Sequence, residues 1–525
     1  MNAKFIYGIA ALMLLFAAGC TRRFDSINQN PNSPQKIQNV QLLLPTVIIN
    51  SVRNYAYQSQ FGASVCGDYY ANQYTSGFDD NWVASQTESQ FLWNFFDPLK
   101  DVENYRLLSH AQHQKNNEGA ALILRSWMFQ VMTDNFGDMP YTQALQGKTS
   151  GNFAPVYDRQ ETIYYALMDS LKRANTLLAT GSDPLNSDIL LGANSMRWRE
   201  FANGLRLRLL MRMSSVANPK IDIGAEISTI ANNPSTYPLF ASNADQAALQ
   251  FTSELNNEFP GFHNPPIGDY HLSTTLQTNL VNLNDPRIAY YAMPTQASYG
   301  SGHPQYGAVP NCYGTAESTY GGGSSFQSQE SPILMPYLAY PTYASQTAAQ
   351  GMILTYSEVQ FILAEAKERG LLTGGDLAAN YYTNGIKDQF AYDMSRLDVQ
   401  NANIPASDHN FAKSADIAPM AAYYLQPGVA YTGTTAQKLY KIRIQKWFAL
   451  FYNGFEGWSE WRRTGVPRET TINPADGTKT SSAISAWPRR TRYPLSEQTL
   501  NQVNYTAALQ VQGPDDLLTR VWWNK

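Results

Sequence analysis

The stretch KLYKIRIQKWFALFYNGFEGWSEWRRTGVP, residues 438–467, decides what kind of fold the chain adopts. Tyr440, Ile444, Trp447, Phe448 and Phe451 recur at spacings of three and four, which puts them on one face of a helix over 438–452. Gly454 is placed to close that helix. The second half crowds Glu456, Glu460, Arg462 and Arg463 between Trp458 and Trp461. Two carboxylates four residues apart share a helix face, which raises the question of a catalytic pair. Two adjacent guanidinium groups would hold their pKa values down, the reverse of what a general acid needs. The reading taken is therefore structural: paired ions at a helix end, covered by two indoles. Arg206, Arg208 and Arg212, on another helical run, are further partners for such glutamates.

The same period extends outward in both directions. Leu124, Trp127, Met128, Val131 and Met132 form a stripe that ends at Gly137. Asp158 to Glu161 reads as a capped start, and Ile163, Leu167, Leu171, Ala174 and Leu178 follow. Trp198, Phe201, Ala202, Leu205 and Leu209 make a third stripe. Thr355 and Glu358 have capping-box spacing before a helix leading to Gly370, with a partner helix over 376–394. Paired helices of this length suggest a solenoid of α-hairpins such as tetratricopeptide repeats, although the repeat signature of roughly 34 residues is not visible. Residues 215–350 differ, with Pro-, Gly- and Tyr-rich stretches that read as loops and short strands.

Composition narrows the function. The 525 residues carry 38 Lys+Arg against 42 Asp+Glu, so no basic stripe is available and nucleic acid is not an expected partner. Asn and Gln are nearly as numerous as charged side chains, and there are 33 Tyr and 10 Trp. Such a surface suits neutral polar ligands. Two stretches concentrate it. One holds Tyr70, Asn72, Tyr74, Asp80, Asn81 and Trp82; the other holds Tyr299, Tyr306, Asn311, Tyr313 and Tyr320, followed by a run of glycines. Rings of this kind stack on the C–H face of a sugar, and amides and carboxylates bond its hydroxyls. Tyr337, Tyr340 and Tyr343 either line the same site or face a partner. His110 and His113 lack a third ligand at metal spacing, and Gly147-Lys148-Thr149 lacks the first glycine of a phosphate loop. No cofactor is expected; a structural Ca²⁺ held by carbonyls and Asp stays open.

The N-terminus places Lys4 before an apolar run, residues 5–18, too short to span a bilayer but suited to a signal peptide. Ala17-Ala18-Gly19 then precedes Cys20, a pattern that resembles a bacterial lipobox. The mature chain would begin at a lipid-bearing Cys20. Whether Cys66 and Cys312 pair is open.

Several strings resemble the SusD/RagB family of Bacteroidetes outer-membrane lipoproteins: 124–145, 196–214, DPR at 285–287, 353–370, 492–501, 519–523 and, above all, 438–467 with FEGWSEWRRTG. The resemblance implies a mainly α fold, a tetratricopeptide-like helical-hairpin scaffold with a loop-rich, irregular ligand-binding side. The expected organisation is a signal peptide at 1–19, a lipidated tether at 20–36 and one domain at 37–525. Within that domain the scaffold covers 37–214 and 353–465, the loop-rich insertion 215–352 and a C-terminal segment 466–525. The resemblance also implies a role: a non-catalytic protein facing the cell exterior, which captures an oligosaccharide or peptide for a SusC-like TonB-dependent outer-membrane transporter. A secreted glycoside hydrolase and an adhesive surface protein are the rivals.

Overall fold

The computed structural model describes residues 39–72, 92–254, 257–260, 270–298, 301, 303–311, 320–328, 331, 345, 347–402, 404–405, 420–467 and 486–525. From Gln41 to Lys525 the chain forms one unit. Helix α1 (Leu44–Gln58) carries proline in its first turn, where no helical N–H is lost. It continues into a π-helical turn, Ser59–Ala63, and strand β1 (Tyr70–Asn72). Helices α2 (Phe96–Ala111), α3 (Lys115–Phe136), α4 (Gln160–Thr180), α5 (Ser195–Met213) and α6 (Ile223–Asn232) follow. The middle holds β2 (Ala247–Gln250), β3 (Tyr270–Leu272), α7 (Thr274–Asn282) and β4 (Gln350–Leu354). Then come α8 (Tyr356–Glu368), α9 (Ala378–Asn401), α10 (Thr435–Ala449), α11 (Gly454–Thr464) and α12 (Gln502–Gln512).

Helices neighbouring in sequence pack on each other: α2 on α3, α4 on α5, α8 on α9 and α10 on α11. The pairs join through α3 on α4, α5 on α8 and α8 on α10. The fold is thus mainly α, a tetratricopeptide-like scaffold of helical hairpins. The strands among the described residues form two antiparallel pairs, β1 with β3 and β2 with β4.

Several local expectations change on contact with the structure. The stripe on α3 is buried, but so are Gln130, Thr133, Asp134 and Asn135 on its other sides. Neighbours surround this helix, so its polar side chains must find partners inside. Helix α10 starts earlier than its apolar period, at a capping box made by Thr434 and Gln437. Tyr440 is 47% exposed and leaves the buried face to Ile444, Trp447, Phe448 and Phe451. Gly454 does not close α10 but opens α11, behind an Asn453 cap whose side chain accepts from the Glu456 amide. Asp158 is not the α4 cap; its carboxylate accepts from the amides of Tyr141 and Thr142, and Arg159 takes the cap position. Thr355 caps α8 as expected, but Glu358 turns away from the box to meet Arg208. A guanidinium offers a buried carboxylate more than a single backbone amide does.

Candidate functional site

The carboxylates of the decisive stretch come first. Glu456 and Glu460 are each 2% exposed. Glu456 accepts from Gln130 Nε2 at 2.9 Å, lies 3.3 Å from Arg208 Nη1 and pairs with Arg212 Nη2. Arg208 grips Glu358 through two contacts of 2.7 Å, and Arg212 also donates to Asp134 at 2.8 Å. Glu460 sits 3.0 Å from Lys446 Nζ and 2.6 Å from Arg463 Nη2; Arg463 reaches on to Glu365 at 2.9 Å. Burial pushes Glu456 up, but Arg208 and Arg212 outweigh it and hold the carboxyl at about 2. Burial likewise opposes, and Arg463 overrides, at Glu460 and Glu365, which are held below the usual carboxylate range. These groups are locked anions, so the structural reading of the stretch holds. Arg206 departs from the expectation: it pairs with Glu226 at 3.1 Å and not with a glutamate of the 438–467 stretch.

Arg462 departs from the expected ion pairs. It has no carboxylate partner among the described residues and donates to the carbonyls of Asp134 and Arg489 at 2.6 and 3.0 Å. Its guanidinium stacks over Trp458 at 4.1 Å and Trp523 at 4.9 Å. Burial pulls its pKa down to about 9. His110 bonds Glu118 at 3.0 Å, and no group of three His, Cys, Asp or Glu side chains gathers among the described residues.

The aromatic stretches tell a different story. Strand β1 pairs with β3, with Tyr70 opposite Leu272 and Asn72 opposite Tyr270. The second stretch joins the same sheet. Val309 donates to the Leu272 carbonyl at 2.8 Å, and Thr274 donates back to Val309 at 3.1 Å. Leu272 donates to Ser328 at 2.9 Å, and Ser328 to Gly307 at 2.8 Å. Two side chains complete the join: Asn311 donates to the Asp68 carboxylate, and Ser273 Oγ to the Asp68 carbonyl at 2.6 Å. Segments more than 200 residues apart in sequence therefore share one base. The glycines at 321–323 all have positive φ, which side-chain-bearing residues avoid, and they turn the chain after Tyr320.

That base is fixed to the scaffold. The Tyr69 ring stacks on Trp447 at 4.8 Å; its hydroxyl donates to the Trp447 carbonyl at 2.7 Å, and Trp447 Nε1 donates to Gly67 at 3.0 Å. Tyr70 is 1% exposed, packs edge-on to Phe451 at 5.6 Å, donates to Tyr291 and accepts from Ser331. Asn72 is buried as well. Both sit beneath the surface, in the base and not on an open face. Tyr306 and Tyr320 are half-buried, and their carbonyls accept from Gln277 and Gln327. Tyr74, Asp80, Asn81, Trp82, Tyr299 and Tyr313 lie outside the described residues, as do Cys20, Cys312, Tyr337, Tyr340 and Tyr343. Composition does not single out Asp68 or Ser273; the one local signal is Ser273, which caps α7 by accepting from the Leu276 amide at 3.0 Å.

No helix among the described residues is long and apolar enough to cross a membrane. Solved structures share this fold. A SusD homolog from Bacteroides fragilis aligns with a TM-score of 0.74 at 23% identity, covering 93% of this chain and 100% of that one. A SusD homolog from Bacteroides uniformis gives 0.71 at 20%, covering 92% and 99%. A chitin-binding SusD homolog from Flavobacterium johnsoniae gives 0.72 at 21%, covering 93% and 98%. No curated protein matches the sequence. The family model SusD-like_2, described as starch-binding and associating with the outer membrane, matches residues 31–494, and the chain belongs to that family.

Proposed function

We propose that the protein is a non-catalytic cell-surface lipoprotein that captures an oligosaccharide and delivers it to a SusC-like TonB-dependent transporter. Lipid on Cys20 tethers it to the outer membrane. The observation that carries this reading is the convergence of the described parts of two distant Tyr- and Asn-rich stretches, Tyr70–Asn72 and residues 306–311, on one sheet, braced by Tyr69 on Trp447. Trp82, Tyr306 and Tyr320 supply stacking faces, and Asn81 and Asn311 bond hydroxyls. The locked state of Glu456 and Glu460 argues against the hydrolase rival, because neither can act as a general acid. A peptide would use the same rings and amides; the starch-binding family description and a chitin-binding relative favour a glycan.

Isothermal titration of the mature protein against starch-, chitin- and cellulose-derived oligosaccharides, with chromatography of the ligand afterwards, tests the reading. Binding without product formation is expected, and Trp82→Ala should weaken it about tenfold, the value of one lost stacking contact. Cleaved ligand would establish an enzyme instead. In cells, Cys20→Ala should release or misplace the protein; normal membrane attachment of that variant would remove the anchor from the account.

A further inference from the structure

Asn50, Asn54 and Gln58 recur every four residues along one face of α1. At 1.5 Å rise per residue they form a line about 12 Å long. Arg53 and Tyr57 lie beside that line, also four apart. Asp97, Lys100 and Asp101 of α2 and Pro260 line the same cleft. Together these residues wall a cleft of about 730 Å³, within the range that small-ligand sites occupy.

Both cations of this cleft already face a carboxylate. Arg53 is 3.3 Å from Glu258, and Lys100 is 2.7 Å from Asp97. What remains unused is amide, together with the Arg53 Nε–H, which is buried and donates to nothing among the described residues. Gln58 is only 7% exposed and lines the cleft, yet its side chain has no hydrogen-bond partner among the described residues. Asn54 Oδ1 is buried and receives no hydrogen bond. Burying Asn54 Oδ1 and Arg53 Nε unpaired is costly, so a ligand or ordered water is needed to complete them. A primary amide donates and accepts side by side, which matches two neighbouring hydroxyls on a sugar ring. The Tyr57 ring, 37% exposed, offers a flat face at the rim.

We propose that this cleft is a second binding site for a short neutral oligosaccharide, separate from the stretches on the β1–β3 sheet. The inference rests on the glycan reading above and adds a second hold on the same polymer, which raises avidity without new contacts at the first site. The charge balance sets the class: Arg53 and Lys100 already face carboxylates, and Asp101 makes no ion pair among the described residues and opposes a uronate or a phosphorylated sugar, whereas a neutral sugar meets the amides and the Arg53 Nε–H.

The test is titration of the mature protein with neutral malto-, cello- and chito-oligosaccharides of increasing length. Asn54→Leu/Gln58→Leu is compared with wild type, and circular dichroism checks its fold. Because Gln58 borders the core, Asn50→Ala and Tyr57→Ala on the open side give a second pair that keeps the packing. Weakening of about tenfold for the longer oligomers, with less loss for the shortest, is expected. Wild-type affinity of these variants for every oligosaccharide that the wild type binds would overturn the cleft and leave the glycan reading standing. Failure of the wild type to bind any glycan would remove both.

Discussion

Asp134 on α3 shows how polar side chains live inside this protein. Its carboxylate accepts from Gln130 at 2.6 Å, Arg212 at 2.8 Å, Trp523 Nε1 at 2.8 Å and the Tyr164 hydroxyl. Arg212 carries the network to Glu456, which Arg208 also faces. Removing one member leaves buried charge uncompensated, at a cost of about 3–5 kcal/mol. Glu456→Gln is thus expected to lower unfolding free energy by that amount in urea titration, while the folded fraction keeps its glycan affinity. A catalytic Glu456 would instead abolish turnover with little change in stability. The pH behaviour follows. Glu456 has a folded pKa of about 2, below its ordinary value of 4.5, so its stabilisation is complete above pH 4.5 and is lost as pH falls toward 2. Asp393 does the opposite. Burial raises its carboxyl to about 7, although Arg287 and a hydrogen bond from Gln389 at 2.9 Å oppose the rise. The folded state then binds the proton that the unfolded state has released between pH 3.8 and 7, so ionisation of Asp393 costs stability as pH rises through that window. Asp393→Asn should show a melting temperature that gains on wild type from pH 4 to pH 7 and levels off above. A constant difference across that range would place Asp393 in the ordinary carboxylate range.

At the level of elements, α11 is held where two backbones nearly touch. A Cβ on Gly454 would stand 2.3 Å from the Ser59 carbonyl oxygen and 2.5 Å from the Ser64 amide nitrogen, both backbone atoms of the π-helical turn and its continuation. Gly454→Ala is expected to destabilise by about 1–3 kcal/mol through overpacking, measured as a lower denaturant midpoint at unchanged slope. An unaffected midpoint would mean the turn yields freely. This also explains what could and could not be read from sequence. The apolar period located α10, but not its start, because Thr434 to Gln437 are exposed and carry no large apolar side chain, and only capping marks them. The glycine after Tyr452 read as a helix end because its close neighbours, Ser59 and Ser64, are distant in sequence. The burial of Arg208 and Arg212 was legible as ion pairing because glutamates stood at hand. The carbonyl cradle of Arg462 was not, since Asp134 and Arg489 offer their backbone there and any residue carries a carbonyl.

For the whole molecule, the hairpin scaffold was readable from helical period and family resemblance, and the nomination of two aromatic stretches came from composition. Their meeting was not readable. The register of Tyr70 against Leu272 and the bond from Asn311 to Asp68 depend on how the scaffold returns the chain, which no local pattern records. The consequence is a frame that holds the described parts of both nominated stretches on one small sheet. Such a frame stabilises with its ligand by mass action: at 100 times the dissociation constant the gain is about 2.7 kcal/mol. A unit of this length has an unfolding entropy on the order of 1 kcal/mol/K, so the melting temperature should rise by about 2–3 °C with saturating oligosaccharide. A binding protein leaves its ligand intact, so the shift should be the same after a day of incubation as after a minute. A hydrolase would consume the ligand and the shift would decay as products accumulate, which makes the time course of one melting experiment enough to separate capture from catalysis.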